Sequence, residues 1–272
     1  MKKERVDVIA YHQGLFDTRE QAKRGVMAGL VYIEKNNERL DKPGEKIEVG
    51  TMLKLKGQKL PYVSRGGLKL EKALKLFDFT VKDKIVLDIG ASTGGFTDVS
   101  LQNGAVRSYA LDVGYNQLAW KLRQDERVTV MERTNFRYST AADFTEGIPS
   151  VATIDVSFIS LKLMLPPLHG ILAEGGDVMA LIKPQFEAGR EAVGKNGIVR
   201  DPKTHLSVIE EITQFALREQ YDVCNLSYSP ITGGEGNIEF IVHLRKSNEP
   251  GVMAETVDIQ QVVAEAHQQL AK

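Results

Sequence analysis

Residues 85–96 read Ile-Val-Leu-Asp-Ile-Gly-Ala-Ser-Thr-Gly-Gly-Phe, an apolar run followed by a turn of small residues. Such a run that leads through glycines into a helical pattern is typical of a buried strand, a tight turn and a helix. Glycine adopts unusual backbone dihedrals and lets a ligand approach the main chain closely. The stretch therefore predicts a ligand-binding turn at the end of a buried strand.

Short apolar runs and helical patterns alternate around this turn. The apolar runs lie at residues 84–89, 107–113, 127–132, 151–156, 177–183, 221–228 and 238–245. The helical patterns lie between most of them, at residues 95–103, 116–124, 161–173 and 203–219. This alternation predicts an α/β fold with a mainly parallel sheet and helices on both faces. A glycine-rich turn without a helix separates the last two runs, which predicts an antiparallel hairpin.

Smaller segments flank the predicted sheet. The predicted segments are a small α+β domain at 1–60, a linker and helix at 61–83, the sheet domain at 84–246 and a C-terminal segment at 247–272 with a helix over 251–271. In the first domain, Thr18 and Gln21 have the spacing of a helix-capping box. Residues 57–66 have the composition of a linker. The sequence therefore predicts two domains of unequal size.

The composition is that of an ordinary globular protein, with 42% hydrophobic and 26% charged residues. No apolar run approaches the roughly 18 residues of a membrane-spanning helix, and no apolar signal core follows the N-terminus, so we expect a cytoplasmic protein without membrane association. A single cysteine, Cys224, and five scattered histidines predict neither a disulfide nor a metal site.

The charge is distributed unevenly along the chain. Residues 1–60 contain 13 Lys and Arg against 9 Asp and Glu, a net charge of +4. The remaining residues contain 22 against 27, a net charge of −5. A basic N-terminal segment on an acidic body indicates that a polyanion binds at one end of the chain.

Two acidic residues near the turn indicate its ligand. Asp88 precedes the glycines, where an acid suits a cationic amino or sulfonium group, and Asp112 ends the next apolar run, where it can accept both ribose hydroxyls of an adenosine. Together they predict S-adenosylmethionine. NAD is an alternative, but Ser92 occupies the second glycine position of the dinucleotide pattern. A further alternative is a plain tight turn in which Asp112 caps a helix. The candidate cofactor-binding residues are Asp88, Gly90, Ser92, Thr93, Gly94, Gly95, Phe96, Asp112, Val113, Asn135 and Asp155.

Five motifs resemble those of a known family. They are Arg65-Gly-Gly-Leu-Lys69, Asp88-Ile-Gly90, Ile154-Asp-Val-Ser-Phe158, Leu181-Ile-Lys-Pro-Gln-Phe-Glu187 and Gly234-Glu-Gly-Asn-Ile-Glu-Phe240. Over residues 1–246 the chain is similar to the TlyA family, often called hemolysin A, whose catalytic domain is similar to the FtsJ ribose methyltransferases. The resemblance implies a Rossmann-like sheet of the S-adenosylmethionine-dependent methyltransferase type and 2′-O-methylation of cytidine in ribosomal RNA. It also implies a catalytic tetrad, which maps onto Lys69, Asp155, Lys183 and Glu239.

The reaction explains why such a tetrad is useful. A ribose 2′-hydroxyl is a weak acid that must lose its proton as it attacks the sulfonium methyl group, so the enzyme supplies positioning and a base. Lys183 is the candidate base, because the like charge of Lys69 favours its neutral amine. Asp155 and Glu239 would orient the two amines. Each residue also has a structural interpretation, such as a solvated helix face for Lys69 or a helix cap for Asp155.

The basic N-terminal segment resembles the small RNA-binding fold of ribosomal small-subunit protein four. The matching stretches are Arg5-Val-Asp7, Thr18-Arg-Glu-Gln-Ala-Lys-Arg24, Ala28-Gly-Leu-Val31 and Asp41-Lys-Pro-Gly44. The resemblance implies that ribosomal RNA or a ribosomal subunit is the partner, and no obligate protein partner is evident. The candidate RNA-binding residues are Arg5, Arg19, Lys23, Arg24 and Arg65. Phosphate contacts by such residues give affinity and register, whereas an ordinary charged helix face is the alternative.

Two other functions are conceivable for this sequence. A membrane-acting hemolysin requires an export signal or a strongly amphipathic segment, and neither stands out. A non-catalytic RNA-binding scaffold would carry a disrupted tetrad or cofactor turn, whereas every residue that the resemblance requires is present. We therefore expect an enzyme.

Overall fold

Residues 3–56 and 60–270 are described by the computed structural model, so residues 57–59 of the predicted linker and residue 271 of the predicted last helix lie outside the described residues. The chain divides into two units, Met1–Pro61 and Tyr62–Lys272. The division falls one residue after the boundary expected at residue 60. Each unit has its own hydrophobic core, as a domain requires.

Over residues 3–56, the first unit combines two short helices with two small antiparallel sheets. Its elements are β1 (Lys3–Arg5), α1 (Val6–His12), α2 (Arg19–Met27), β2 (Val31–Ile33), β3 (Arg39–Leu40), β4 (Lys46–Glu48) and β5 (Leu53–Leu55). Strand β1 pairs with β4, and β2 lies between β3 and β5. Helix α2 begins at Arg19 because the Thr18 hydroxyl accepts a hydrogen bond from the Gln21 N–H at 3.2 Å.

The second unit is built on a large, mostly parallel sheet. Its elements are α3 (Gly67–Leu76), β6 (Ile85–Ile89), α4 (Gly95–Gln102), β7 (Arg107–Leu111), α5 (Trp120–Arg123), β8 (Val128–Met131), β9 (Val151–Ile154), α6 (Leu165–Ile171), β10 (Asp177–Ile182), α7 (Pro184–Glu187), α8 (Pro202–Arg218), β11 (Tyr221–Tyr228), β12 (Phe240–Lys246) and α9 (Ile259–Leu270). Within the described residues the sheet has seven strands in the order β11-β12-β10-β9-β6-β7-β8. All neighbouring strands are parallel except β12, which is antiparallel to β10 and β11. The predicted α/β class is therefore confirmed.

The topology gathers several strand ends at one edge of the sheet. Asp155 follows β9 and Lys183 follows β10, which are parallel neighbours. Strand β12 runs the other way, and Phe240 pairs with Ile182. Glu239, directly before β12, therefore stands beside the strand end that carries Lys183. The antiparallel hairpin is what allows a residue before a strand to join residues that follow strands.

Three predicted helices are shorter than the sequence pattern suggested. The helix expected over 161–173 is divided into a 3-10 turn at Leu161–Leu163 and α6. The helix expected over 116–124 is reduced to α5, because Asn116 has a φ of +57° that a right-handed helix excludes. The helix expected from residue 251 begins at Ile259. The preceding segment is extended because Val223 donates its N–H to Val252 O and accepts the Ala254 N–H, each at 2.9 Å.

Helix α3 packs on one face of the large sheet and carries Lys69. The core beneath it consists of Leu70, Ala73, Phe77, Phe96, Val99, Met179, Leu181 and Ile241. Leu70 is completely buried there, whereas Leu76 at the end of the same helix is 58% exposed. The position of Lys69 thus depends on the packing of the residue next to it.

We predict that Leu70→Ala lowers the free energy of unfolding of the second unit by about 2–5 kcal/mol, because it leaves a cavity between helix and sheet. Leu76→Ala is the matched control on the same helix and should change stability by less than about 0.5 kcal/mol, since its side chain is largely in solvent. Chemical denaturation followed by circular dichroism measures both. Equal effects of the two substitutions would contradict the packing described here.

Candidate active site

The four side chains of the candidate tetrad form one continuous chain of ion pairs. Lys69 Nζ lies 2.7 Å from Glu239 Oε2 and 3.3 Å from Asp155 Oδ2. Lys183 Nζ lies 2.5 Å from Asp155 Oδ1. Asp155 therefore bridges the two lysines, and Glu239 ends the chain on the side of Lys69. We refer to Glu239–Lys69–Asp155–Lys183 as the ion-pair chain.

The ion-pair chain is largely shielded from solvent. The side chains of Lys69 and Lys183 are each 8% exposed, that of Glu239 is 3% exposed and that of Asp155 is 20% exposed. A buried charge is tolerated only when it is paired and hydrogen-bonded. Two ammonium groups and two carboxylates satisfy this condition together, and Asp155 is the member that solvent or a substrate can reach most easily.

The two lysines are held with different strength. Burial by itself would lower the pKa of Lys69, but Asp155 and Glu239 outweigh it and raise that pKa above its ordinary value. Burial would likewise raise the pKa of Asp155, but the ammonium groups of Lys69 and Lys183 lower it. Lys69 is thus a fixed cation between two carboxylates. Lys183 has one carboxylate and the Ser157 hydroxyl, 3.3 Å away, so it has fewer charged partners than Lys69.

Sequence reasoning missed two polar residues that contact the ion-pair chain. Besides Ser157, the Gln185 side-chain amide donates a hydrogen bond to Glu239 Oε1 at 3.3 Å. Both residues lie in the motifs quoted above, each two positions from a tetrad residue. That proximity was the available signal, but a polar residue in a loop has no periodic pattern that distinguishes a contact from a solvated side chain.

The glycine turn packs directly against the loop that carries Asp155. Gly90 has a φ of +86°, and a Cβ there would lie 2.4 Å from the Asp155 carbonyl oxygen. Gly94 has a φ of +99°, and a Cβ there would lie 2.4 Å from Leu122 Cδ1. Gly95 is buried as the first residue of α4. The turn therefore couples the candidate cofactor site to the ion-pair chain through the main chain.

Asp112 holds the outer side of the turn. Its carboxylate accepts the Ser92 N–H at 2.8 Å and the Gly114 N–H at 2.6 Å. An ionised carboxylate has about four acceptor positions, so two remain available. Ser92 and Val113 are exposed and Thr93 is half-buried, so a ligand can reach this side of the turn.

Two residues that the sequence predicts to contact the cofactor, Asp88 and Phe96, have buried side chains. Asp88 is 1% exposed, and its carboxylate accepts hydrogen bonds from the Thr97 N–H, the Thr97 hydroxyl and the Thr153 hydroxyl at 2.7–3.1 Å. Burial raises the pKa of Asp88 to about 7 despite these bonds. Phe96 is buried in the core under α3. Asp88 joins α4 to β9 through these bonds and Phe96 packs beneath α3, and their predicted contact with the ligand stays a prediction.

Asn135 is exposed and starts a short 3-10 turn. Its side-chain oxygen accepts the Arg137 N–H at 3.2 Å, which is the turn-capping role that asparagine commonly has. The predicted contact of Asn135 with an adenine edge stays a prediction.

The candidate RNA-binding residues fall into two groups. Arg5 donates two hydrogen bonds to the buried Asp7 carboxylate, at 2.9 and 2.8 Å, so much of its hydrogen-bonding capacity is used within the first unit. Arg19, Lys23 and Arg24 are exposed on α2. In the second unit, Arg65 is exposed just before α3. The exposed side chains are accessible to phosphates, and their role in RNA binding stays a prediction.

Family comparisons match nearly the whole of the chain. Residues 62–246 match the model of the FtsJ-like methyltransferase family, and residues 4–53 match the S4 domain. The two matches fall in the two structural units. The predicted methyltransferase-type fold and N-terminal S4-like domain are therefore confirmed.

Individual relatives agree with the family match. YqxC of Bacillus subtilis (strain 168) is 64% identical over 99% of this chain and 96% of its own length. The 16S/23S rRNA (cytidine-2′-O)-methyltransferase TlyA of Mycobacterium tuberculosis (strain ATCC 25618 / H37Rv) is 37% identical over 94% of this chain and 95% of its own. A solved structure from Streptococcus thermophilus is 64% identical and superposes with a TM-score of 0.79, covering 99% of this chain and 97% of that one.

We predict that Gly90→Ala disrupts the site, because the new methyl group would displace the Asp155 carbonyl and with it the turn. A strained backbone costs on the order of 1–3 kcal/mol in stability, and calorimetric titration should detect no binding of S-adenosylmethionine. Gly104→Ala is the control, since its φ is +91° but its Cβ would meet only the flexible Lys82 side chain, at 3.2 Å. It should lose comparable stability and still bind. Binding of wild-type strength in Gly90→Ala would refute the coupling between turn and Asp155.

Proposed function

Because the chain belongs to the FtsJ-like methyltransferase family, we propose that it transfers the methyl group of S-adenosylmethionine to a ribose 2′-hydroxyl of ribosomal RNA, with cytidine as the target nucleotide. The observation that carries the proposal is the ion-pair chain at the edge of the sheet. The name of the M. tuberculosis relative supports ribosomal RNA and cytidine. An S4 match at residues 4–53 supports an RNA substrate.

The glycine turn and the neighbouring acidic residues have the chemistry that S-adenosylmethionine requires. Asp112 retains free acceptor positions for two ribose hydroxyls, and the exposed Ser92 and half-buried Thr93 are within reach of a ligand. Asp155, which is partly exposed, offers a carboxylate to a cationic amino group. S-adenosylmethionine supplies a methyl group that its sulfonium already activates, so the protein needs to provide only orientation and proton removal.

Lys183 is the proposed general base. In its neutral form the amine can donate one hydrogen to Asp155 Oδ1 and one to the Ser157 hydroxyl, which leaves its lone pair for the substrate proton. The 2′-hydroxyl would lose its proton to Lys183 Nζ as its oxygen bonds to the methyl carbon, and the bond from that carbon to sulfur would break to release S-adenosylhomocysteine. Proton transfer of this kind contributes typically 10²–10⁴-fold to a rate.

The other three members orient Lys183 and balance the charges around it. Lys69 stays charged because two carboxylates hold it. Lys69 and Lys183 share the single carboxylate of Asp155. Glu239 balances Lys69, so the site tolerates this permanent cation. Asp155 orients Lys183 without a second carboxylate that would keep it protonated.

The first unit is the proposed RNA-binding module. Its segment has a net charge of +4, and Arg19, Lys23 and Arg24 are exposed on one short helix. Contacts of such residues with phosphates bind RNA without reading its bases. A ribosomal RNA substrate would also locate the activity in the cytoplasm.

The other functions have less support. Within the described residues, no helix is long and apolar enough to cross a membrane. The family match favours methyl transfer over nicotinamide chemistry. The continuous ion-pair chain favours an active enzyme over a scaffold that only binds RNA.

We predict that Lys183→Ala lowers the rate of methyl transfer to ribosomal RNA by at least about 100-fold, because the base is lost. Lys183→Arg should be similarly inactive, since a guanidinium keeps the charge but is not deprotonated near neutral pH. Transfer of radiolabelled methyl groups to purified ribosomal subunits measures the rate, and ribose-methylation mapping identifies the nucleotide. Lys75→Ala, an exposed site on α3, is the control. A wild-type rate in Lys183→Arg would exclude Lys183 as the base.

We predict that Lys23→Glu weakens binding of ribosomal RNA and makes the slope of log affinity against log salt less steep by about 1, as expected for one lost phosphate contact. Lys35→Glu makes the same change of charge at another exposed position of the first unit and is the control. Filter binding across a salt series measures both, and S-adenosylmethionine binding should be unchanged. If the two variants bind RNA equally, α2 is not the phosphate-binding surface.

A further inference from the structure

The main chain of the buried residue Val199, in the loop between α7 and α8, is hydrogen-bonded at both its N–H and its carbonyl. The Val199 N–H donates to Asn237 Oδ1 at 3.1 Å, and the Val199 carbonyl accepts from His205 Nε2 at 3.1 Å. Val199 is 2% exposed, so water does not replace these bonds easily. One bond leads towards the active-site edge and the other leads to α8.

Asn237 joins this loop to the loop before Glu239. Its side-chain NH₂ donates to the carbonyls of Gly197 and Gly234 at 3.0 and 3.1 Å. Together with the bond from Val199, these contacts determine the orientation of the amide, because the oxygen must face an N–H and the nitrogen must face two carbonyls. The side chain is buried and two residues from Glu239.

The loop that Asn237 holds is in contact with the Glu239 carboxylate. The Gly233 N–H donates to the Asn237 carbonyl at 2.8 Å. A Cβ on Gly233 would lie only 2.1 Å from Glu239 Oε1, so the main chain at Gly233 lies directly against this carboxylate. A shift of the loop would therefore move Glu239 relative to Lys69, with which it is paired at 2.7 Å.

His205 extends the network to the C-terminal helix. Its Nε2 faces the Val199 carbonyl and so carries the hydrogen, and its Nδ1 lies 2.8 Å from His267 Nε2, on α9. With Nδ1 as the acceptor, His267 Nε2 must be the donor. Burial, and secondarily the neighbouring His267, lower the pKa of His205 to about 4, although the hydrogen bond to Val199 and the charge of Asp201 act in the opposite direction. The pair therefore stays neutral and hydrogen-bonded near neutral pH.

We infer that Asn237, His205 and His267 are positioning residues that hold Glu239 against Lys69, so that the C-terminal helix α9 contributes to the geometry of the active site. No member of this relay touches a reacting atom. It acts through a series of direct hydrogen bonds from His267 through His205 and Val199 to Asn237. A buried polar network with satisfied partners holds one arrangement firmly, which is what a positioning device needs. The inference rests on the proposed methyl transfer.

The half-buried His267 provides the main test, because its substitution should leave the fold intact. His267→Ala removes the donor to His205 and should lower kcat about tenfold, the size expected for an outer hydrogen-bond partner. His267→Gln restores an N–H donor and should recover at least half of the wild-type kcat. The dissociation constant of S-adenosylmethionine and the KM for ribosomal RNA should stay within twofold in both variants.

Asn237→Asp tests the other end of the relay. The carboxylate still accepts from Val199 but faces the carbonyls of Gly197 and Gly234 without a donor. We expect kcat to fall about 10- to 100-fold, in line with displacements of a catalytic group on the order of 1 Å. His169→Ala is the control, since it removes an imidazole bonded to a different carbonyl, that of Ser247, and kcat should not change.

Hydrogen exchange distinguishes a failure of this inference from a failure of the proposed function. In His267→Ala, the amides of Val199 and Gly233 should exchange at least tenfold faster than in the wild type, and in His169→Ala they should not. An unchanged kcat in His267→Ala, an equal loss in His267→Gln, or unchanged exchange would overturn the relay. If the wild-type chain methylates no ribosomal RNA, the proposed function fails, and the exchange rates still decide whether α9 is coupled to the loop.

Discussion

The carboxylate of Asp155 is shared by two ammonium groups, and the arrangement of the site follows from this sharing. One buried negative charge cannot balance two positive charges, so Lys69 needs the second carboxylate of Glu239. Residues 69 and 239 are far apart in the sequence, and they meet only because β12 is antiparallel to β10. The reversal of one strand is thus an electrostatic requirement of the site as well as a property of the sheet.

Main-chain contacts support the charged groups from both sides. On the cofactor side, Gly90 lies so close to the Asp155 carbonyl that no side chain fits between them. On the opposite side, the loop at Gly233 lies directly against the Glu239 carboxylate. The ion-pair chain is therefore confined between two segments of backbone. Such confinement keeps long, flexible side chains in one arrangement, which a protein surface does not do.

Much of the fold was predictable from local patterns, because apolar runs indicate strands and turn residues indicate where the strands end. Local patterns could not identify the candidate tetrad. Lys69 lies in a segment with the pattern of a solvated helix face, and only the family resemblance indicated a role for this residue. Asp88 and Phe96 were assigned to the ligand from a turn motif, which does not reveal that both side chains are buried. The extended segment before α9 and the contacts of Val199 depend on partners distant in sequence, which no local pattern encodes.

The cancellation of charges within the ion-pair chain also limits how this sequence can drift over generations. Loss of Lys69 alone would leave the Glu239 carboxylate without its cation, and loss of Glu239 alone would leave a surplus cation in a buried place. Simultaneous loss of both would keep the local charge balanced, so the two positions should show strong epistasis. Neutral single steps away from this arrangement are therefore few, and ancestral and descendant sequences would be expected to change these two positions as a pair or to retain both.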